Sequence, residues 1–416
     1  MALLQPKLDW RVRWDGVAWT SVTDLLDTVD VRHGAATGNP DRPTILSGTG
    51  RAVMRGPLTE AQRSGRFHMH LFLEDPDDPT VEYDIWGGFI AAPRALPGVI
   101  TRNVWRIEGH HSELLGQPVR QTIATTLLST IMADTAIWNK VGGIPTIVGR
   151  IPGRSTREFM YNGRVGGFYA TMAAIGSWEV TEDHDGDIHM TSTAPRKSDI
   201  PDTTETLDWR KITVFRDVVT RDRADRIRNV LFQDGRQLYR NTDSAITWGA
   251  RTLEVPGWWQ SVSLASEASE VIDSLAELRR EHTVRIPLAQ RSAAAIRFVE
   301  RLDTGDYLHV TLKDSRFNID INDTCIIMER AIEWSQTGPT VIVLRLLETG
   351  LAPPEPETDQ EFILLEDGSV VLLETAFKLE LETSVSPTAG FAMLDEEGDA
   401  LLLEDGSKML LERIAL

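Results

Sequence analysis

Adjacent histidines at 110 and 111, with Glu113 close by, are the first residues in this chain whose types could hold a metal ion. Neighbouring residues diverge on a strand, and no long-range ligand spacing completes a site, so strand-end histidines are the expectation. Asp183-His184-Asp185-Gly186-Asp187 puts acids at alternate positions, as a calcium loop does. Its glycine comes two places early and its twelfth position is Ala194, not glutamate. A hairpin turn is the better account, with weak calcium binding left open.

Nucleophile patterns are incomplete. Gly176-Ser177-Trp178 lacks the second half of an elbow motif, and Gly153-Arg154-Ser155 has no phosphate-loop lysine. Gly163 to Gly167 does not form the dinucleotide pattern. Cys325, the single cysteine, sits in a strand-like setting before Ile326-Ile327, where a buried thiol is commoner than a nucleophile. Carboxylate pairs can always be found among 62 acidic residues, so they carry no weight. The expectation is a protein that is not an enzyme, with no catalytic, cofactor-binding or metal-binding residues and no cofactor.

Other features suggest surfaces. The run from Arg216 to Asn229 alternates in sign, the pattern of a solvated or partner-facing salt-bridged segment; a nucleic-acid site would be uninterrupted and basic. Trp258-Trp259 would point to opposite sides of a strand, so one is expected at an interface or between domains, with a core role for both as the alternative.

The elements that hold these residues are mostly strands. Phe67–Leu73, Tyr83–Ile90, Val104–Glu108, Ile212–Phe215, Tyr307–Leu312 and Val341–Leu346 are rich in β-branched and aromatic residues. Trp14-Asp15-Gly16, Asn162-Gly163, Asp185-Gly186 and Asp234-Gly235 read as tight turns. Helical spacing is seen at Val119, Ile123, Leu127, Leu128 and Ile131, at Ala268, Val271, Ile272, Leu275 and Leu278, and over Phe168, Met172 and Ile175.

The chain has 416 residues, 43 basic against 62 acidic. No apolar run approaches the ~18 residues of a membrane span, and the start lacks the charged and apolar pattern of a signal peptide. Residues 351–416 carry 16 acidic and three basic residues, −13 of the total −19. Leu351-Ala352-Pro353-Pro354-Glu355-Pro356-Glu357 begins a linker, read as 351–360. Beyond it a unit repeats: Ile363 to Glu374 matches Leu401 to Glu412, each with Leu-Glu-Asp-Gly-Ser between two short apolar strands. Phe377–Leu381 and Phe391–Leu394 look like extra strands. The adjacent pairs Leu364-Leu365, Leu372-Leu373, Leu402-Leu403 and Leu410-Leu411 face both sides of their strands. A segment this small and acidic cannot cover both faces alone, so these eight leucines are the candidate oligomer interface. Packing of the repeat against its own body is the alternative.

Taken in order, the residues resemble a tail-hub (baseplate hub, minor tail) protein of a long-tailed bacteriophage. Trp10-Arg11-Val12-Arg13-Trp14, Val29-Asp30-Val31-Arg32-His33-Gly34, Gly50 to Met54, Trp86-Gly87-Gly88-Phe89-Ile90 and Trp105-Arg106-Ile107-Glu108-Gly109 are similar to the opening barrel of that family. Tyr169 to Gly176 with Asp185-Gly186-Asp187-Ile188 resembles its middle helix and hairpin. Arg226-Ile227-Arg228-Asn229-Val230 would be a strand of a second barrel starting near Leu207. Ser244 to Gly249 would precede an inserted helix, and Gly305 to Val310 would be a late strand.

The resemblance implies a mainly β fold with an α+β insert. It comprises a first barrel (1–117), a mixed domain (118–205), a second barrel with an inserted helix (206–350), the linker and the hairpin repeats (361–416). It also implies a homotrimer at the virion tail tip whose six barrels meet a six-fold tube. Its partners would be a distal tail-tube ring protein, the tape-measure protein and receptor-binding or tail-fibre proteins, and DNA would pass without specific binding. The alternatives are a six-fold ring beneath the tube, a receptor-binding tip protein, a cell-wall glycan hydrolase or a calcium-dependent adhesin.

Overall fold

Alternation builds the first strands. In β1 (Leu8–Arg13) Trp10 and Val12 are buried, while the guanidinium groups of Arg11 and Arg13 lie 4.5 and 4.2 Å from the ring centroids of Phe72 and Trp19. β2 (Thr20–Ser21), β3 (Leu26–Ala35), β4 (Ile45–Arg55), β5 (Phe67–Glu74), β6 (Glu82–Leu96) and β7 (Arg102–Glu108) complete this half. They pair antiparallel in the spatial order β3-β4-β7-β6-β5-β1-β2. These come from a computed structural model that describes residues 6–35, 45–56, 59–60, 62, 65–96, 102–212, 217–259, 265–289, 291–316 and 318–354, with the strand pieces 362–364, 370–372, 391–392 and 410–411.

The middle segment contains β8 (Pro118–Ile123), β9 (Thr126–Leu127), α1 (Leu128–Ala133), α2 (Thr135–Trp138), β10 (Thr146–Val148), β11 (Ser155–Thr156) and β12 (Phe159–Arg164). Then come α3 (Val165–Gly176) and the hairpin of β13 (Trp178–Glu182) and β14 (Ile188–Ser192). Two expectations fail here. The stripe from Val119 to Ile131 is not one helix, because Val119 and Ile123 lie on β8, whose alternating burial matches a strand, and only 128–133 coil. Asn162-Gly163 is no turn but lies inside β12, paired with Arg120 and Val119. The other turns hold: Gly16 and Gly186 have positive φ, and Asp234 and Gly235 have φ of 51° and 75°, the pair a tight two-residue hairpin needs.

The second half brings β15 (Thr206–Asp208), β16 (Val218–Asp222), β17 (Val230–Gln233), β18 (Arg236–Arg240), α4 (Thr242–Trp248), β19 (Thr252–Val255) and α5 (Ala265–Ala276). β20 (Arg280–Pro287), α6 (Ala293–Glu300), β21 (Tyr307–Asp314), β22 (Ile319–Ser335) and β23 (Val341–Leu351) follow. The expected strand at Arg226 to Val230 starts only at Val230, because Arg226 closes a one-turn helix, Ala224–Arg226. Ser244 to Trp248 belongs to a helix itself, capped by the Asn241 side chain, which accepts from the Ser244 amide at 3.0 Å. The strand expected at Ile212–Phe215 falls largely outside the described residues.

The two strand-rich halves form one continuous sheet. β22 is long enough to pair with β21 through residues 319–326 and with β3 through 329–335, so the order runs β16-β20-β23-β22-β3-β4 and on to β2. Among the described residues no strand pair closes either half on itself. Both halves share one core, where Trp10, Trp86 and Trp105 join Val284, Leu308, Ile332 and Leu344. A second core joins Trp138, Phe168, Met172 and Trp178 of the middle segment to Leu231, Leu253, Trp259 and Val271, so the stretch from β17 to α5 packs with the middle segment. A small third cluster, Tyr307, Ile326, Met328 and Leu347, abuts Val148 and Ile200.

Cys325 is fully buried in the shared core, and burial pushes its thiol well above the ordinary value. A thiol reagent is expected to leave the native protein unmodified and to titrate one thiol after unfolding; rapid native reaction would contradict this placement.

The chain divides into two compact units, residues 1–353 and 354–416. In the second, β24 (Phe362–Leu364) pairs antiparallel with β25 (Val370–Leu372), the hairpin expected around Asp367-Gly368. The second repeat pairs differently: β27 (Leu410–Leu411) lies against β26 (Phe391–Ala392), while Leu401–Leu403 lie outside the described residues.

Candidate functional site

The sequence-selected residues converge on two places in the first unit. One is a junction between the β13–β14 hairpin and the large sheet, where seven of the nine histidines gather: His33, His68, His70, His110, His111, His184 and His189. The strand period explains part of this, because His68 and His70 share the face of β5 opposite Met69 and Leu71. His70 pairs with Asp84, and its ring lies 6.2 Å from that of His110. His110 is packed against Phe89, and Gly186 sits so near it that a Cβ there would come within 2.6 Å of the His110 Cβ.

The acidic loop is a hairpin turn. Asp183 Oδ1 accepts from the amides of Asp185 and Asp187 at 3.0 and 2.7 Å, and its Oδ2 meets His189 Nε2 at 2.8 Å. His184 reaches across to pair with Asp303. His111 Nε2 bonds the Gly186 carbonyl at 2.5 Å, and its amide donates to Glu182 at 3.1 Å. Among the described residues no group of three or more His, Cys, Asp or Glu side chains is arranged to hold a metal.

Burial sets the protonation of this junction. It pulls His33 down to about 3 and His110 to about 4, so both are neutral. Burial opposes charge on His184 and His189 too, but their bonds to Asp303 and Asp183 outweigh it and raise both above the ordinary histidine value. Desolvation works upward on Asp303 as well, yet the His184 bond holds it at about 2. Asp306, buried beside Asp303, rises to about 6.

The second place is a cavity of about 470 Å³ between α3, β19 and α5. Small residues of α3 (Gly167, Ala170, Ala174) form one wall, and both tryptophans of the 258–259 pair contribute. Trp259 is a buried residue of the second core, and Trp258, half-buried, packs against that core and stacks on Phe159 with centroids 4.0 Å apart. At the polar end Arg226 and Glu179 form a buried ion pair. The Arg216–Asn229 run, expected to be solvated or partner-facing and salt-bridged, is so only in part, because two of its arginines are paired inside the chain. β16 is largely exposed, but Arg223 pairs with Glu281 in a buried bridge and Arg226 is inside. The sequence signal was local alternation, which cannot show that an arginine's partner lies 47 residues away.

Of the eight candidate interface leucines, Leu364, Leu372, Leu410 and Leu411 lie on described strands, and Leu365, Leu373, Leu402 and Leu403 lie outside the described residues.

No family model matches the sequence, and no curated protein matches it. Solved structures do. A tail protein from Neisseria meningitidis MC58 aligns with a TM-score of 0.54 at 13% identity, over 83% of this chain and 98% of that one. The 43 kDa tail protein of prophage MuSo2 from Shewanella oneidensis aligns with a TM-score of 0.50 at 11% identity, over 83% and 100%. The mainly β architecture of this chain, with its large antiparallel sheet and few helices, is that of the phage tail proteins.

Proposed function

We propose that this chain is a structural protein of a phage tail, the hub that closes the tail tube at the virion tip. The observation that carries the reading is the extent of the likeness: nearly the whole of two tail proteins matches 83% of this chain. In this reading the chain is a homotrimer. Its two sheet halves act as two modules per copy, giving six positions to meet a six-fold tube. It joins that tube to the tape-measure protein and to receptor-binding or fibre proteins. DNA passes through it, and a net charge of −19 suits a channel that must not grip phosphate. No catalytic step is assigned to it.

The native mass of the full chain, beside that of residues 1–350, tests this. A full-length trimer is expected; a hexamer would favour a ring protein, and a monomer at all concentrations would overturn self-assembly. The repeats are assigned a second contact between copies through their two-faced leucine pairs. Changing Leu364 and Leu372 to aspartate is expected to abolish assembly through residues 361–416 while residues 1–350 keep their melting transition. If the double variant retains full protease resistance in this segment, the leucines are not the interface.

A further inference from the structure

The β13–β14 hairpin belongs to two environments. Trp178, Val180, Ile188 and Met190 are part of the second core. Its edges and tip meet the large sheet and the 303–307 turn through polar groups. Thr304 Oγ1 donates to the Glu182 carbonyl at 2.7 Å, Tyr307 Oη donates to the Ser192 carbonyl at 2.9 Å, and the Thr191 hydroxyl donates to the Gly305 carbonyl. The two large cores are therefore bridged here by a polar seam whose strength depends on charge.

Acidic groups crowd that seam. Glu182, Asp183 and Asp185 come from the hairpin, and Asp303 and Asp306 from the turn before β21. Two imidazoles sit among them, His184 on Asp303 and His189 on Asp183. From the sheet, β22 contributes Arg330, which acts on both His184 and Asp303, and β6 contributes Asp84, which acts on Asp185. His33 of β3 and His110 also face this group.

We propose that the hairpin is a proton-dependent latch: protonated His184 and His189 hold the middle domain on the large sheet, and losing those protons releases it.

The signs agree. A histidine raised on docking contributes stability that is complete below its ordinary value of 6.5 and is lost as pH climbs through the raised value. Asp306, Asp185 and Glu182 are also held above their ordinary values, chiefly by burial, so the docked form takes up protons at these sites more readily than the released form. Their charge penalty is complete once pH exceeds the docked values, near 6 for Asp306. His33 and His110 are lowered by burial, so the released form takes up protons there below 6.5 and these two oppose the trend at its acid end; above that range they are neutral in both forms. The latch weakens from neutral pH toward pH 9 as His184 and His189 lose their protons.

Hydrogen–deuterium exchange of the full chain between pH 6 and pH 9, corrected for intrinsic amide rates, reads this directly. Opening of the 178–192 peptide is expected to rise at least about tenfold, the worth of one charge-assisted bond. A control peptide in β23 should stay unchanged. The double variant His184→Gln/His189→Gln keeps polar side chains without the charge, so its hairpin should open at pH 6 nearly as the native one does at pH 9, with the histidines' share of the pH dependence gone. Asp303→Asn should remove part of that dependence. A native hairpin equally protected at both pH values would overturn the proposal. So would a double variant that retains the full pH dependence.

Discussion

Replacing Arg226 by alanine is expected to cost about 3–5 kcal/mol, the penalty for leaving one member of a buried ion pair alone. Arg226 closes the Ala224–Arg226 turn that leads into β17, and its guanidinium meets Glu179 on β13 inside the second core. Burial pulls Arg226 down to about 10, which still leaves it charged at neutral pH. Glu179 without its partner would be a carboxylate that is 2% exposed, with one oxygen already unbonded. Urea unfolding followed by tryptophan fluorescence checks this, because Trp178 and Trp259 belong to the same core. The double change Arg226→Met/Glu179→Met removes both charges and should recover most of the loss. If Arg226→Ala shifts stability by under about 1 kcal/mol, the range of an exposed pair, the bridge is not buried in solution.

Gly34→Ala is expected to be as severe, by a different route. Gly34 has φ of 130° and lies on β3 opposite Glu329 of β22, in the seam joining the two halves of the sheet. A Cβ there would overlap the Met328 carbonyl oxygen and lie 2.7 Å from the Glu329 Cα. Backbone strain and overpacking each cost about 1–3 kcal/mol, so a loss of roughly 2–6 kcal/mol is expected. Gly235, with φ of 75° and open space around it, separates the two terms. Gly235→Ala should cost only about 1–2 kcal/mol. Equal thermal stability of the Gly34 and Gly235 variants would mean that the seam yields more readily than its geometry indicates.

Much of this was legible because it depends on local pattern. The alternation of β1, β5 and β7, the positive-φ turn at Asp234-Gly235, the helices over Phe168 and Ala268, and the hairpin of the first repeat all follow from side-chain period and turn chemistry. Local pattern misled where one stripe suits two structures. Val119, Ile123 and Ile131 fit a helical face, yet β8 has a partner strand in β12, and pairing with a distant segment leaves no mark at positions 118–123.

The partners of charged and polar residues were not legible. Asp183 and its turn could be read from five consecutive residues. The pairing of His184 with Asp303, 119 residues on, could not, nor could that of Arg226 with Glu179. The single sheet was equally hidden. Residues 1–117 and 206–350 each carry enough strands to suggest a barrel, and only the length and placement of β22 make them share one core. Period and turn preference act over a few residues and are written into the chain. Which strand edges meet, and which charges they bury together, depends on the folded chain as a whole.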